Sequence, residues 1–292
     1  MRASSRPASD TKIAAFPGET RRPHLSAPLS GAFERHGTSD DDASGSRPVD
    51  CAARAAPARP RRSNPGPPTA PETCRAVQAQ GETFTVCAID LRRQRLRLFW
   101  LQGDGRPYGS LGTLAEKQGG RLSFAMNAGM YDKDQAPVGL YVEDGREMRH
   151  VSTTDGPGNF HLKPNGVFWV KGDKAGVLDT TRYLRTKVRP DYATQSGPML
   201  VIDGQIHPKI SADGPSQKVR NGVGVTADGH VAVFAISERP VTFGAFARLF
   251  KDDLGCRNAL FLDGSVSSLY APGIGRSDIS RPLGPLIGAM AR

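Results

Sequence analysis

The chain has 292 residues, 38% of them hydrophobic, and a formal net charge of +10. This length suits one large domain or two small ones. It contains no run of about 20 apolar residues, so a membrane span is not expected, and no signal peptide is recognisable after Met1. The charges are scattered and follow no zinc-finger or recognition-helix pattern, so nucleic-acid binding is not expected either.

The first 72 residues differ in composition from the rest. They are rich in Pro, Ser, Arg, Ala and Gly, as in residues 55–62, and contain almost no periodic apolar residues. Such a segment cannot bury enough surface to offset its ordering entropy, about 1–2 kcal/mol per residue. We therefore predict a disordered tail over residues 1–72, or an over-long translation start, followed by one folded domain over residues 73–292. Because several arginines lie in the tail, we expect the domain to be modestly basic.

The cysteines bear on the compartment in which the protein matures. Cys74 and Cys87 are 13 residues apart, which suits a disulfide across a hairpin, although two unrelated buried thiols are an alternative. Closing so short a loop would contribute about 3 kcal/mol. A disulfide implies an oxidising compartment, so we expect a secreted or periplasmic protein, and a mis-assigned start codon would explain the missing signal. No Cys or His spacing matches a zinc site, and no metal or cofactor is predicted.

From Thr83 onward, apolar alternation predicts strands and a few helices. The Asp-Gly turns between these strands favour antiparallel hairpins, and the alternating strand–helix rhythm of a doubly wound sheet is missing. The fold class is therefore α+β, a single domain with a largely antiparallel or mixed β-sheet core packed by few helices. The predicted elements are strands over 84–90, 96–101, 121–126, 165–170 and 258–262, hairpins over 138–148, 199–206 and 223–234, a short helix over 111–118, and a longer helix capped by Thr242 and ended by Gly255.

Two polar residues follow apolar strands and are candidates for catalysis. Asp263 comes after the fully apolar run 259–262 and precedes Gly264 and several hydroxyls, so we interpret it as functional rather than as one more Asp-Gly turn. Asn127 also ends an apolar strand, and a buried Asn must satisfy both its donor and its acceptor groups. It is therefore a candidate for orienting a sugar hydroxyl or a carboxylate, with a left-handed turn beside Gly129 as the alternative.

A second set of residues suits an anion. Arg220, next to Asn221, carries the planar guanidinium that binds phosphate in a bidentate way, unless it is an ordinary surface arginine. Lys163 and Asn165 flank Pro164 and could add to an anion site. Ser196 and Gly197 offer a hydroxyl and a free amide on a rigid turn. No nucleophile elbow, phosphate-binding P-loop or dinucleotide fingerprint is present, which disfavours nucleotide hydrolysis and hydride transfer by the common routes.

Five of these segments, taken in order, resemble the phosphodiester glycosidase domain, and the resemblance covers most of residues 75–290. The family includes the lysosomal-targeting "uncovering enzyme", an N-acetylglucosamine-1-phosphodiester alpha-N-acetylglucosaminidase, and this chain looks closest to its bacterial branch. One departure is that the family often has Asp-Gly-Gly-Gly-Ser-Ser, whereas Ser265 and Val266 here replace two glycines. The segments are 126–131 (Met-Asn-Ala-Gly-Met-Tyr), 163–168 (Lys-Pro-Asn-Gly-Val-Phe), 195–200 (Gln-Ser-Gly-Pro-Met-Leu), 220–224 (Arg-Asn-Gly-Val-Gly) and 261–264 (Phe-Leu-Asp-Gly).

The resemblance implies a hydrolase that cleaves a glycosyl–phosphate bond, with an envelope or exopolysaccharide-type glycan or another sugar phosphate as its partner. Asp263 would be the nucleophile or the base, and Arg220, helped by Lys163, would hold the phosphate. A non-catalytic glycan-binding or cell-envelope module remains an alternative, while a metal-dependent phosphodiesterase would need more clustered Asp and His. The predicted site consists of Asp263, Arg220 and Asn127 as catalytic residues and Ser196, Gly197, Lys163, Asn165, Asn221, Ser267 and Ser268 as substrate-binding residues, with Glu238 as a reserve second carboxylate.

Overall fold

A computed structural model describes residues 73–292, and the predicted tail over residues 1–72 lies outside the described residues. Three α-helices occur: α1 (Leu111–Lys117), α2 (Thr180–Arg185) and α3 (Phe243–Arg248), the last continued by a π-helical turn over Leu249–Asp253. The strands are β1 (Cys74–Ala79), β2 (Glu82–Asp90), β3 (Gln94–Phe99), β4 (Leu122–Asn127), β5 (Tyr141–Glu143), β6 (Arg146–Arg149), β7 (Gly166–Lys171), β8 (Lys174–Asp179), β9 (Tyr192–Ser196), β10 (Met199–Ile202), β11 (Gln205–Ile206), β12 (Asn221–Val225), β13 (Val231–Ser237), β14 (Ala259–Phe261), β15 (Leu269–Ala271), β16 (Arg276–Ser277) and β17 (Leu286–Ala291).

These strands form three sheets in which every neighbouring pair is antiparallel. Sheet I has the order β1-β2-β13-β12-β14-β10-β11, sheet II has β16-β15-β4-β17-β3, and sheet III has β6-β5-β9-β7-β8. The predicted class, a mainly antiparallel sheet core with few helices, is therefore confirmed. No helix between residues 73 and 292 combines the length and the apolar character needed to cross a membrane.

All three sheets contribute to one central core. The Phe234 ring of sheet I lies 4.8 Å, centroid to centroid, from Phe124 of sheet II and 5.8 Å from Phe168 of sheet III. Because successive strand residues face opposite sides of a sheet, β14 contributes side chains to two hydrophobic cores. Leu260 lies in the central core, whereas Phe261 faces the opposite side of sheet I. This explains why the strand before Asp263 is apolar at every position.

Helix α3 covers the other face of sheet I. Thr242 caps it, because its hydroxyl accepts a hydrogen bond from Ala245 N–H, as the sequence predicted. Phe246 and Phe250 on this segment are fully buried against the sheet. The chain leaves the π-helical turn at Gly255, whose φ of 63° is a left-handed conformation that glycine adopts without strain.

The predicted elements differ from the structure mainly at their ends and where apolar content is low. The hairpin expected over 138–148 begins only at Tyr141, because Val138 N–H donates to Met130 O and Leu140 N–H donates to the Gln195 side chain rather than to a neighbouring strand. Strands β1, β8, β9, β15, β16 and β17 and helix α2 were not predicted. Cys74 and Cys87 lie directly opposite each other in the β1–β2 pair and form the disulfide.

Candidate active site

The polar residues predicted for the site come together because the strands that carry them are neighbours. Gly222 pairs with Phe261 in sheet I, and Leu262 N–H donates to Asn221 O, which places Asp263 beside Asn221. In sheet III, Gly166 pairs with Ser196. All three sheets therefore contribute to one cluster, with Asn127 supplied by the end of β4 in sheet II.

Asn127 and Asn221 form a buried amide pair that joins sheets I and II. They are 1% and 0% exposed. Asn221 Nδ2 donates to Asn127 Oδ1 at 3.0 Å and to Asn127 O at 3.1 Å, and Asn127 Oδ1 also accepts Ser268 N–H at 2.9 Å. The Asn127 side chain thus holds Asn221 and the 263–268 loop. It makes no hydrogen bond to the Asp263 carboxylate among the described residues.

The other face of the amide pair fixes the loop that carries Asp263. Asn221 Oδ1 accepts Asp263 N–H at 3.0 Å and the Ser267 hydroxyl at 3.3 Å. The Ser267 hydroxyl is also 2.7 Å from Asp263 O, and the Ser268 hydroxyl donates to Val266 O at 2.9 Å. Both hydroxyls, which the sequence placed in substrate binding, are therefore used to shape the loop.

Among the described residues, one oxygen of the Asp263 carboxylate accepts a hydrogen bond and the other accepts none. Ser265 N–H donates to its Oδ1 at 2.9 Å, and no other donor of the described residues reaches the carboxylate. The side chain is partly buried, and this burial raises its pKa above the ordinary carboxyl value, while the Ser265 bond has the smaller, opposite effect. The Asp263 charge also adds to burial in raising the pKa of Tyr131. A carboxyl group of raised pKa suits proton transfer.

The Arg220 guanidinium lies on the face of sheet I opposite Asn221. Arg220 is 1% exposed, and its Cζ lies 3.5 Å from the centroid of the Phe243 ring and 5.6 Å from that of Phe261. Nε donates to Val241 O at 2.9 Å and Nη2 to Ser216 O at 2.8 Å. Nη1 donates to none of the described groups, and it retains some exposure to solvent.

No carboxylate of the described residues pairs with Arg220, and burial alone lowers its pKa to about 10. The group therefore stays protonated at neutral pH. A buried cation without a counter-ion is costly to the folded state. This charge is the strongest electrostatic feature of the site.

Ser196, Gly197 and Asn165 form the wall next to Asp263. The Ser196 hydroxyl donates to Leu262 O at 2.6 Å, so its proton is engaged within the protein. A Cβ on Gly197 would lie 2.7 Å from Asn165 Cβ, which leaves no room for a side chain. Asn165 is buried, donates from Nδ2 to Phe160 O at 2.9 Å and accepts from the Thr180 hydroxyl at 2.8 Å.

Lys163 lies apart from the Asp263 loop, in a separate cavity. Its Nζ is 2.6 Å from Thr153 O and 2.6 Å from Asp155 Oδ1. The reserve carboxylate Glu238 is also elsewhere, because it accepts from Thr85 and Arg276 at 2.6 Å each, on the side of sheet I formed by β2. No group of three or more His, Cys, Asp and Glu among residues 73–292 is arranged to hold a metal ion.

Sequence reasoning assigned no role to Gln195, which organises the wall around Ser196. Gln195 is 1% exposed, and its Oε1 accepts Leu140 N–H at 3.0 Å and Ser152 N–H at 2.8 Å. Its Nε2 donates to Ser152 O at 2.7 Å and to the Thr180 hydroxyl at 3.1 Å. Its position directly before Ser196, in the Gln-Ser-Gly-Pro segment, is the feature of the sequence that could have indicated this role.

Comparisons with known proteins identify a matching family and related chains. The family profile for phosphodiester glycosidases matches residues 120–288. The uncharacterized protein YigE of Escherichia coli K12 is 37% identical over 195 residues, which make up 65% of this chain and 76% of YigE.

Two solved structures are similar to this chain at low identity. The catalytic domain of zebrafish N-acetylglucosamine-1-phosphodiester alpha-N-acetylglucosaminidase, auto-inhibited by its pro-peptide, has a TM-score of 0.54 at 15% identity, covering 75% of this chain and 82% of that chain. A hypothetical protein from Synechocystis has a TM-score of 0.47 at 17% identity, covering 75% of this chain and 61% of that one, so the present chain spans less than two thirds of its length.

The family match covers more than half of the chain, and YigE is related over most of its own length. The chain therefore belongs to the phosphodiester glycosidase family.

Proposed function

We propose that this protein hydrolyses the glycosyl–phosphate bond of a sugar phosphodiester. The observation that carries the proposal is that one ring, Phe261, contacts both Arg220 and the loop that carries Asp263. Arg220 Cζ lies 5.6 Å from the centroid of Phe261. Gly264, which follows Asp263, packs against the same ring, since a Cβ on Gly264 would lie 2.9 Å from Phe261 Cζ. Phe261 thus contacts both the unpaired cation and the loop that carries the Asp263 carboxyl of raised pKa.

Arg220 is the group that would bind the phosphate. A phosphate oxygen at Nη1 would supply the counter-ion that no described carboxylate provides, and a charge-assisted bond of this kind is stronger than a neutral one. The bonds of Nε and Nη2 to Val241 O and Ser216 O hold the guanidinium in one orientation. Binding then offsets the cost of burying the cation.

Asp263 would act at the anomeric carbon, either as the nucleophile or as the base that activates water. In either case the bond from that carbon to the bridging oxygen breaks, and the phosphomonoester leaves with the electron pair. Water supplies the new hydroxyl of the sugar. A phosphomonoester is a good leaving group, with a second pKa of about 6, so the usual demand for a second carboxylate as general acid is reduced.

We further propose that the substrate is an envelope or exopolysaccharide-type glycan and that the protein works in a secreted or periplasmic setting. The Cys74–Cys87 disulfide supports this setting, because disulfides persist in oxidising compartments. The family assignment supports a glycosidase acting on phosphodiesters.

The test is turnover of a panel of glycosyl phosphodiesters by the full chain, with and without chelator. Asp263→Asn should lower kcat by at least about a thousandfold while leaving the fold intact, since the amide can neither attack nor accept the proton. Asp203→Asn is the matched control, because Asp203 also precedes a turn glycine but is exposed and pairs with Arg182. Near-normal turnover in Asp263→Asn would exclude Asp263 as catalyst, and binding without turnover in the wild type would favour the non-catalytic glycan-binding module.

A further inference from the structure

A cavity of about 320 Å³ lies beside the Asp263 site without including the Asp263 loop. Its wall presents an ammonium group, three hydroxyls and a buried amide. The amide of Asn165 is already engaged with Phe160 O and the Thr180 hydroxyl, so the groups available to a ligand are the ammonium and the other hydroxyls. The lining residues are Thr153, Lys163, Pro164, Asn165, Thr180 and Thr181.

The Ser196–Gly197 segment separates this cavity from Asp263. Asn165 contacts Gly197 from the cavity side, whereas the Ser196 hydroxyl holds the carbonyl of Leu262, the residue before Asp263. A substrate with its sugar and phosphate at Asp263 and Arg220 would therefore bring a more distant part of the molecule to the cavity.

One ammonium group, that of Lys163, lines the cavity. The Lys163 ammonium lies 2.6 Å from the Asp155 carboxylate, whose side chain is 91% exposed. Hydrogen bonding and charge from Lys163 lower the pKa of Asp155, and His161 and Lys209 add smaller effects in the same direction. The backbone N–H of Lys209 donates to Nδ1 of buried His207 at 3.1 Å.

We propose that this cavity is the aglycone subsite and that it selects an aglycone with an oxyanion of its own, next to hydroxyl groups. The inference rests on the proposed function, since it names the part of the substrate beyond the scissile phosphate. In the free protein, the Lys163 ammonium forms an ion pair with the Asp155 carboxylate. Exposed ion pairs of this kind are weak, so a ligand oxyanion that also receives hydrogen bonds from the threonines replaces Asp155 readily.

Kinetics on three diesters would test the subsite. All three share the sugar and the phosphate, and their aglycones are glycerol, glycerol phosphate and glyceric acid. In the wild type we expect the anionic aglycones to have a kcat/KM about tenfold or more above that of glycerol, as hydrogen bonds to charged groups allow. Lys163→Met should reduce this ratio to near one, through KM rather than kcat. Comparison of kcat/KM for the two anionic aglycones shows whether the subsite prefers a phosphate or a carboxylate.

Two further variants sharpen the test. Asp155→Asn should lower KM for the anionic aglycones, because it removes the competing carboxylate. Lys171→Met should keep the wild-type ratio, since Lys171 forms a similar pair with Asp191, also at 2.6 Å, away from the cavity. A wild type without preference for anionic aglycones, or a preference that survives Lys163→Met, would overturn the subsite.

Binding separates this inference from the proposed function. Glycerol 3-phosphate titrated into the full chain should bind both at Arg220 and in the cavity, so Lys163→Met should remove the heat of one of the two sites and Lys171→Met should remove neither. If every diester resists hydrolysis, the proposed function fails, but this binding pattern would still support an oxyanion site. Equal binding by the wild type and Lys163→Met would refute the site, whatever the turnover.

Discussion

Asp263 illustrates a conflict between stability and function at a single residue. Its carboxyl has a raised pKa in the folded protein because of burial. The stabilising contribution of the protonated group is fully present below the carboxyl pKa of the unfolded chain, about 3.9, and is lost as pH rises through the folded value. Once ionised, the carboxyl is a partly buried charge that the fold does not favour.

Replacing this carboxyl with an amide should remove that penalty. We expect Asp263→Asn to have a Tm at pH 7 equal to or above that of the wild type, with the difference shrinking as pH falls below about 4. Thermal unfolding followed by circular dichroism across this pH range measures the effect. A Tm at pH 7 clearly below the wild-type value would show that the carboxylate stabilises the fold and would contradict the proposed cause of its pKa shift.

Asn221 tests how far the buried amide pair supports the site. Asn221→Asp keeps the shape but loses the two bonds that Nδ2 donates to Asn127. Leaving buried acceptors unsatisfied costs about 1–3 kcal/mol, and a new buried charge adds to this. Urea unfolding should show the loss. Asn258→Asp is the control, since the Asn258 side chain accepts Asp203 N–H at an exposed turn, and its effect should stay within about 0.5 kcal/mol.

At the scale of elements, the β1–β2 hairpin depends on its disulfide. β1 forms the edge of sheet I and contains few large apolar residues. Replacing Cys74 and Cys87 together with serine should lower the free energy of unfolding by about 3 kcal/mol, since the closed loop is short. Urea unfolding with and without dithiothreitol measures this. The reductant should destabilise the wild type and leave the double variant unchanged; an equal effect on both would point to another cause.

The same elements show what the sequence can predict. Strands with alternating or wholly apolar residues, such as β2 and β14, were predicted because burial controls their composition. β9 was missed because Thr194, Gln195 and Ser196 are polar yet buried. Their side chains are satisfied by partners distant in sequence, such as Ser152 and Leu262. No local pattern of residues reveals such bonds.

The candidate site follows the same division. The residue types at strand ends indicated Asp263, Asn127 and Asn221, and the structure brings these three together. The sequence could not show that the Ser267 hydroxyl serves the loop. Nor could it show that Lys163 lies in a cavity of its own. These outcomes depend on how the sheets pack against one another, which only the folded chain determines.

For the molecule as a whole, charge is the property that bears on substrate encounter. Residues 73–292 retain most of the net positive charge of +10 once the first 72 residues are set aside. The domain is thus more basic than we expected from the number of arginines in the tail. A field of this sign attracts polyanionic substrates and raises their rate of association.

Added salt should reveal this attraction. Between about 0.05 and 0.5 M NaCl, kcat/KM for a glycosyl phosphodiester should fall several-fold while kcat changes little, because screening acts on encounter more than on bound groups. Steady-state kinetics at fixed pH provides the measurement, and a neutral glycoside with a detectable leaving group provides the control. A kcat/KM that is insensitive to salt would count against steering by the domain's charge.

The contact of Phe234 with Phe124 and Phe168 has a consequence for cooperativity. The rings of three sheets meet at one point, and the same three sheets supply Asp263, Asn127 and Ser196. No sheet can leave that point without exposing the apolar faces of the other two, so the sheets are coupled into one unfolding unit. The cluster of Asp263, Asn127 and Ser196 is accordingly present as a whole or absent as a whole, and heating should yield no partly folded form that retains it.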